Sequence, residues 1–444
     1  MRKLETRAYI CILIVACLVL GMVIFIFQLV KDGGKWATFY ANKHIYAQGK
    51  LAVGNIYDRN GKVLEENQNG NIVFNDDYWA RRGTVHVVGD RNGNIATSAE
   101  VAYRKDIVGY SWLTGTYSVS GKGRDIKLTI DADMSSAAAK ALGDRHGVVV
   151  IYNYKTGDIL TMVSGPNFDP AEPPGETNDS SGLFINRALS SKTVPGSIFK
   201  VVTSAAAIEN VPDIEDFNYY CGGSYRIGNE TVNCYSAHGP VNFESALVES
   251  CNGAFAQITN MCGANVMRNY VKKLGLTKSY DIDGIKNIGG SFEFPDDNEY
   301  NLGWAGIGQY NDLVNPLSMT VFLGAVAGDG KAAEPSLLRA PFKSPVLTDQ
   351  MIKPETARKL QEMLRADVSD GYGDWRFPGL EVYAKTGTAE VIGKPSHAWL
   401  TGFLKDEAHP YAFTILVENG GFGIDSCPDI LNAAMGAATN SSEQ

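Results

Sequence analysis

Twenty-three consecutive residues, Ala8 to Val30 (AYICILIVACLVLGMVIFIFQLV), carry no charge, and Gln28 is their one strongly polar side chain. At 1.5 Å per residue, a helix of that length crosses a hydrocarbon core of about 30 Å. A cleaved signal peptide is the competing reading. The run is too long for one, and no small-x-small cleavage site precedes Lys31-Asp32. Ile14-Val15-Ala16-Cys17 has a weakly lipobox-like order, but the apolar run continues well past Cys17. The expectation is therefore a single-pass anchor in the cell membrane. A cytoplasmic tail (1–7) holds Arg2, Lys3 and Arg7 against Glu5, a transmembrane helix covers 8–30, and the rest of the chain is extracellular. Trp36, Phe39 and Tyr40 are placed to meet the outer interface.

The chain of 444 residues has 40 basic and 49 acidic side chains, a net charge of −9. With no basic face suggested, nucleic acid is excluded as a partner. Hydrophobic residues make up 44%, which is globular and excludes disorder or low complexity. The seven cysteines show no CxxC and no Cys/His cluster in linear order, so no metal or other cofactor is expected. Cys221 and Cys234 flank a Gly-rich stretch; a disulfide between them and two free thiols are equally open.

Residues 31–136 read as short strands and turns, a β-rich pedestal with no recognisable chemistry. Asp58-Arg59-Asn60-Gly61 and Asp90-Arg91-Asn92-Gly93 are both Asn-Gly hairpin signals. A second domain is expected over 137–444. Val148 to Tyr152 and Ile159 to Val163 read as paired strands, and a polar, Pro-rich loop follows from Ser164 to Gly182. Pro195-Gly196 precedes an apolar helix, hydrophobic on most faces and so buried. Glu381 to Thr388, Ala398 to Leu404 and Tyr411 to Val417 form an antiparallel meander, and a last helix starts near Asp425-Ser426-Cys427-Pro428. The fold class is α+β, an antiparallel sheet with helices, one of them buried.

No nucleophile elbow, HExxH, Walker A or EF-hand pattern occurs, and six histidines are scattered. Ser197-Ile198-Phe199-Lys200 is the one S-x-x-K, and Ser250-Cys251-Asn252 the one S-x-N. Lys-Thr-Gly occurs at 155–157 and at 385–387. This triple set is a known signature of serine β-lactamases and penicillin-binding proteins. Lys200, three residues on, shares a helical face with Ser197. A serine hydroxyl needs a base, and a lysine serves only if burial and a second cation lower its pKa. Lys385 is the candidate second cation. The amides of Ser197 and Thr388 could hold an oxyanion, and Gly387 allows close approach of the strand. Lys385, Thr386 and Thr388 could hold a substrate carboxylate. Ser250 could relay a proton and Asn252 contact a substrate amide, although each could instead cap a helix. Lys155-Thr156-Gly157 lies between two strands and is read as a turn.

These residues resemble the class B penicillin-binding proteins, the membrane-anchored peptidoglycan D,D-transpeptidases, and most of all the short-pedestal members called penicillin-binding protein A. Asn55-Ile56-Tyr57-Asp58-Arg59-Asn60-Gly61, Thr156-Gly157-Asp158-Ile159-Leu160, Pro166-Asn167-Phe168-Asp169-Pro170, Gly306-Ile307-Gly308-Gln309 and Asn315-Pro316-Leu317 also have counterparts there. Ile198 replaces the usual Thr, Tyr310 stands where Gly is common, and Val53-Gly54 lacks the family's Arg. The resemblance implies a penicillin-binding/serine β-lactamase-like transpeptidase domain. It implies stem-peptide cross-linking through an acyl-serine on Ser197 and inhibition by β-lactams. It also implies a SEDS-family glycosyltransferase as membrane partner. A D,D-carboxypeptidase, a β-lactam sensor or hydrolase, and a non-catalytic scaffold are the alternatives.

Overall fold

The structure is a computed structural model, and it describes residues 2–39, 53–68, 71–111, 113, 115, 123–175, 181–340 and 344–441. Tyr40 and residues 176–180 of the Pro-rich loop lie outside the described residues.

The apolar run lies inside one helix, Arg2–Ala37, which is long and apolar enough to cross a membrane. Its residues from Leu4 to Val30 are exposed on the helix surface. Among the described residues, its last turns pack against the rest of the chain. Gly33 and Gly34 are buried there against Tyr110 and Lys105.

Beyond it, four short strands form a sheet in the order Asn71–Phe74, Val63–Gln68, Ile56–Tyr57, Ile126–Lys127. The first Asn-Gly turn does join two antiparallel strands, with Tyr57 paired to Val63. Its Asp58 is buried and accepts from the amides of Asn60 (2.8 Å), Lys62 (2.8 Å) and Ala132 (3.1 Å), which ties the turn to the start of the helix Ala132–Leu142. The Asn-Gly turn at 90–93 is not a hairpin. It follows the helix Tyr78–Val88, and Asp90 folds it by accepting from the amides of Asn92 and Asn94. The segment also carries more helix than its turn signals suggest, because Asp77 caps Tyr78–Val88 by accepting from Ala80 N at 2.6 Å.

The expected boundary between 136 and 137 falls inside a helix, Ala132–Leu142. We propose that the second unit starts at Asp131, whose carboxylate caps that helix through the amides of Asp133 and Met134.

The main sheet has five strands in the order Val382–Val391, Lys394–Leu404, Tyr411–Val417, Gly147–Asn153, Ile159–Gly165, each antiparallel to its neighbours. Both faces are covered, so Gly147–Asn153, Tyr411–Val417 and the outer strand Ile159–Gly165 read as continuous apolar runs rather than alternating ones. On one face, Met134, Ala138 and Leu142 meet Ile430, Leu431 and Ala434 of the final helix Pro428–Ser441 over Val149, Ile151 and Ile415. On the other lie Lys200–Asn210, Asn252–Cys262 and Pro316–Ala327, the last buried along its whole length.

Lys155-Thr156-Gly157 is a turn between two sheet strands. The Asn153 side chain accepts from the amides of Lys155 and Thr156, and Gly157 takes φ +84°.

Gly308 takes φ +76°, and a Cβ on it would lie 2.2 Å from Gly196 O and 2.7 Å from Phe199 Cβ. Gly308→Ala should therefore cost about 2 kcal/mol or more, from the left-handed backbone and the clash together. A denaturant melt that matched the parent would show that the chain beside Ser197 is not packed this tightly.

Candidate functional site

Ser197 lies on a 3-10 turn, Gly196–Phe199, that runs directly into the helix Lys200–Asn210. In a 3-10 turn, side chains three apart eclipse, so Ser197 and Lys200 share one face. Ile198 and Phe199 are fully buried and anchor the turn, while Ser197 stays half-buried. The turn is held from three sides. Gly196 N donates to Gly308 O at 2.8 Å, and Trp399 Nε1 donates to Val194 O at 3.0 Å. A Cβ on Gly387 would meet Ile198 Cγ2 at 3.0 Å and Pro195 O at 3.1 Å. Glycine at 387 thus lets the edge strand lie against the serine turn, and Ile198 fills that contact. Tyr310, after this segment, takes φ +63°, the region that glycine adopts without strain.

Lys200 is completely buried. Its Nζ donates to Ser250 O (2.6 Å), Ser250 Oγ (3.0 Å) and Asn252 Oδ1 (2.8 Å). Sequence spacing aimed the amine at Ser197. The structure turns it to the S-x-N segment, and among the described residues the Ser197 hydroxyl makes no hydrogen bond. Ser250 takes φ +49°, a backbone state that costs a non-glycine residue about 1–3 kcal/mol. That bend presents both its carbonyl and its hydroxyl to Lys200. Neither Ser250 nor Asn252 is the helix cap. Cys251 caps Asn252–Cys262, and Asn252 Nδ2 donates to Asn233 O at 2.9 Å.

Lys385 is on the edge strand Val382–Val391, also fully buried. Its Nζ lies 3.2 Å from Asp367 Oδ2 and donates to Tyr372 Oη at 2.9 Å. Tyr372 Oη also accepts from Thr386 N (3.1 Å) and Thr386 Oγ1 (2.8 Å), and donates to Asp367 Oδ2 at 2.7 Å. So Lys385 and Thr386, expected to be free for a carboxylate, already hold Tyr372 and Asp367. The Thr388 hydroxyl, on the same strand, has no side-chain hydrogen bond among the described residues.

The electrostatics follow from this pairing. Burial opposes the Lys385 charge, but Asp367 and Tyr372 outweigh it and hold its pKa above the ordinary value. Burial raises Asp367 to about 6 against the pull of Lys385 and raises Tyr372 to about 12. Burial, with the Lys385 charge second, lowers Lys200 to about 7. One lysine is fixed as an ammonium, and the other is poised to lose its proton near neutrality.

Asp367 and Tyr372 escaped the sequence reading. They sit on a π-helical turn, Asp367–Tyr372, that extends the helix Pro354–Ala366, and nothing periodic in DVSDGY marks them. The linear order holds no Cys/His cluster, but the fold assembles one. Cys221, Cys234, Cys251 and His238 bring one ligand atom each to within 4.8 Å of one another. Cys221 and Cys234 are free thiols, 3.6 Å apart at sulfur. Linear spacing hid the cluster because its members come from a strand, a loop and a helix cap.

A five-stranded antiparallel sheet, with its edge strand along a buried helix led by Ser-x-x-Lys, defines a penicillin-recognising fold. Residues 147–436 match the family described as the penicillin binding protein transpeptidase domain, and the chain belongs to that family. It is 27% identical to the peptidoglycan D,D-transpeptidase PbpA of Mycobacterium tuberculosis over 354 residues, 71% of this chain and 72% of that protein. It is also similar to the solved penicillin G acyl-enzyme complex of penicillin-binding protein A from M. tuberculosis. The TM-score there is 0.75, with 23% identity and coverage of 88% of this chain and 100% of that one. The D,D-transpeptidase domain of a peptidoglycan glycosyltransferase from Eggerthella lenta gives a TM-score of 0.73 at 26% identity, covering 88% of this chain and 98% of that one.

Two outcomes follow from the paired lysines. Acylation of the protein by a fluorescent penicillin should slow about ten-fold per pH unit below the Lys200 pKa of about 7, because only the neutral amine accepts a proton. Stopped-flow rates across that range test this; a flat profile would remove Lys200 as base. Asp367→Asn strands the buried Lys385 charge and should cost about 3 kcal/mol in a denaturant melt. As Lys385 then sheds its proton, the repulsion on Lys200 falls and the acid limb moves to higher pH. A limb that stays in place would show that Lys385 does not tune Lys200.

Proposed function

We propose that the protein is a peptidoglycan D,D-transpeptidase that cross-links stem peptides through an acyl-serine on Ser197. The observation that carries this reading is the fully buried Lys200, one turn from Ser197, with its amine held by Ser250 and Asn252. Neutral Lys200 takes the Ser197 proton, directly or through the Ser250 hydroxyl. Ser197 Oγ then bonds to the carbonyl carbon between the two terminal D-alanines. The Ser197 and Thr388 amides hold the oxyanion. Ser250 passes the proton to the departing D-alanine nitrogen, and the C–N bond breaks. An amine of a second stem peptide attacks the acyl-enzyme, and Ser197 leaves with that amine's proton. Asn252 contacts a substrate amide, and Lys385 with the Thr386–Thr388 edge faces the terminal carboxylate through Thr388. β-Lactams enter as mimics of the D-Ala-D-Ala end and remain on Ser197.

The anchor supports a single-pass topology. Arg2, Lys3 and Arg7 stay in the cytoplasm, and the site works outside on lipid-linked or nascent strands beside a SEDS-family glycosyltransferase. The full-length chain in detergent should take up one fluorescent penicillin, located by mass spectrometry on the peptide holding Ser197. Ser197→Ala should take up none; an undiminished adduct would remove Ser197 as nucleophile. With a stem-pentapeptide donor and an amine acceptor, a cross-linked product is expected. Hydrolysed donor alone would make the protein a carboxypeptidase.

A further inference from the structure

Beside this site stands a second constellation that the transpeptidase chemistry does not use. Cys221 ends the strand Asn218–Cys221. Cys234 and His238 follow the hairpin Ser224–Ile227/Glu230–Asn233, and Cys251 is the middle residue of Ser250-Cys251-Asn252. The sulfurs of Cys221 and Cys234 are 3.6 Å apart, those of Cys234 and Cys251 3.8 Å, and a His238 nitrogen lies within 4.8 Å of all three. At Zn–S bonds of about 2.3 Å, the edge of a tetrahedral thiolate site is about 3.8 Å. His238 Nδ1 is buried and has no hydrogen-bond partner among the described residues. We propose that Cys221, Cys234, Cys251 and His238 form a structural zinc site that positions the S-x-N segment.

The donor set favours an ion over a disulfide. Cys234 lies almost equally close to both other sulfurs, so any one S–S bond would leave a third thiol and the imidazole nitrogen unsatisfied. One tetrahedral ion satisfies all four, and three thiolates with an imidazole are a borderline-soft set suited to zinc. Backbone amides already point at the sulfurs. Gly253 N donates to Cys234 Sγ at 3.3 Å and Ala254 N to Cys251 Sγ at 3.5 Å, the outer-shell bonds that steady thiolate ligands. Their helix, Asn252–Cys262, also presents its positive end to the extra negative charge.

The site has a mechanical use. The hairpin strands are mostly exposed, with Val232 as their one buried apolar residue, so they have little core of their own. An ion would clasp them to Cys251, whose chain neighbours Ser250 and Asn252 hold Lys200. Asn233, on the same hairpin, accepts from Asn252. Cys251 and His238 are thus positioning residues rather than catalytic ones.

The full-length chain, purified in detergent without chelators, should carry one zinc by elemental analysis. Cobalt substituted for it should show the thiolate charge-transfer and d–d bands of a tetrahedral site. His238→Ala should lose the metal and slow penicillin acylation about ten-fold or more. His238→Cys, which restores a fourth donor, should recover both metal and rate. A metal-free protein with a disulfide among Cys221, Cys234 and Cys251, found by peptide mapping of the parent, would overturn the site without bearing on Ser197. Normal acylation by metal-free His238→Ala would overturn the positioning role.

Discussion

Two lysines without solvent contact, Lys200 on a buried helix and Lys385 on the edge strand of the main sheet, lie close enough to feel each other's charge, and the rest of the site is arranged around keeping them unlike. Two buried ammonium groups with no counter-charge would drive each other to deprotonate. Asp367 decides which one yields. It lies 3.2 Å from Lys385, and with Tyr372 it holds that lysine charged, so the repulsion and the cost of burial fall on Lys200. A basic amine near neutrality is therefore a product of asymmetry in pairing, not of either lysine alone.

The asymmetry depends on rigid surroundings. The serine turn is clamped between Gly308 and the edge strand at Gly387, where any side chain would push the two apart. Trp399 holds Val194, two residues before the turn, from the sheet side. On the opposite wall, the left-handed Ser250 supplies two acceptors from one residue to Lys200. That local strain has to be balanced by neighbouring contacts, and Ser250 N donating to Leu247 O and Cys251 N to Ala246 O provide part of the balance. The proposed zinc site would add to it from outside, by fixing Cys251 within the same three-residue segment.

The sequence by itself determined the parts whose physics is local. An uncharged run of that length can only be a helix that avoids water, and Arg2–Ala37 contains it. Spacing of three put Ser197 and Lys200 on one face, and the three late strands paired as their apolar patterns required. The Asp-Arg-Asn-Gly turn at 58–61 was legible because its neighbours alternate as strands. The same four residues at 90–93 follow a helix instead, since a tetrapeptide cannot specify what flanks it. Only the tertiary structure decided the rest. Which acceptor Lys200 meets, Ser250 rather than Ser197, depends on a segment 50 residues away. Asp367 and Tyr372 became the partners of Lys385 because a π-helical turn carries them onto the edge strand. Cys221, Cys234, His238 and Cys251 became neighbours because a hairpin folds back onto a helix cap. Chain spacing fixes which groups share a face within a turn or two; across loops, packing chooses the partner, and burial then sets the charge.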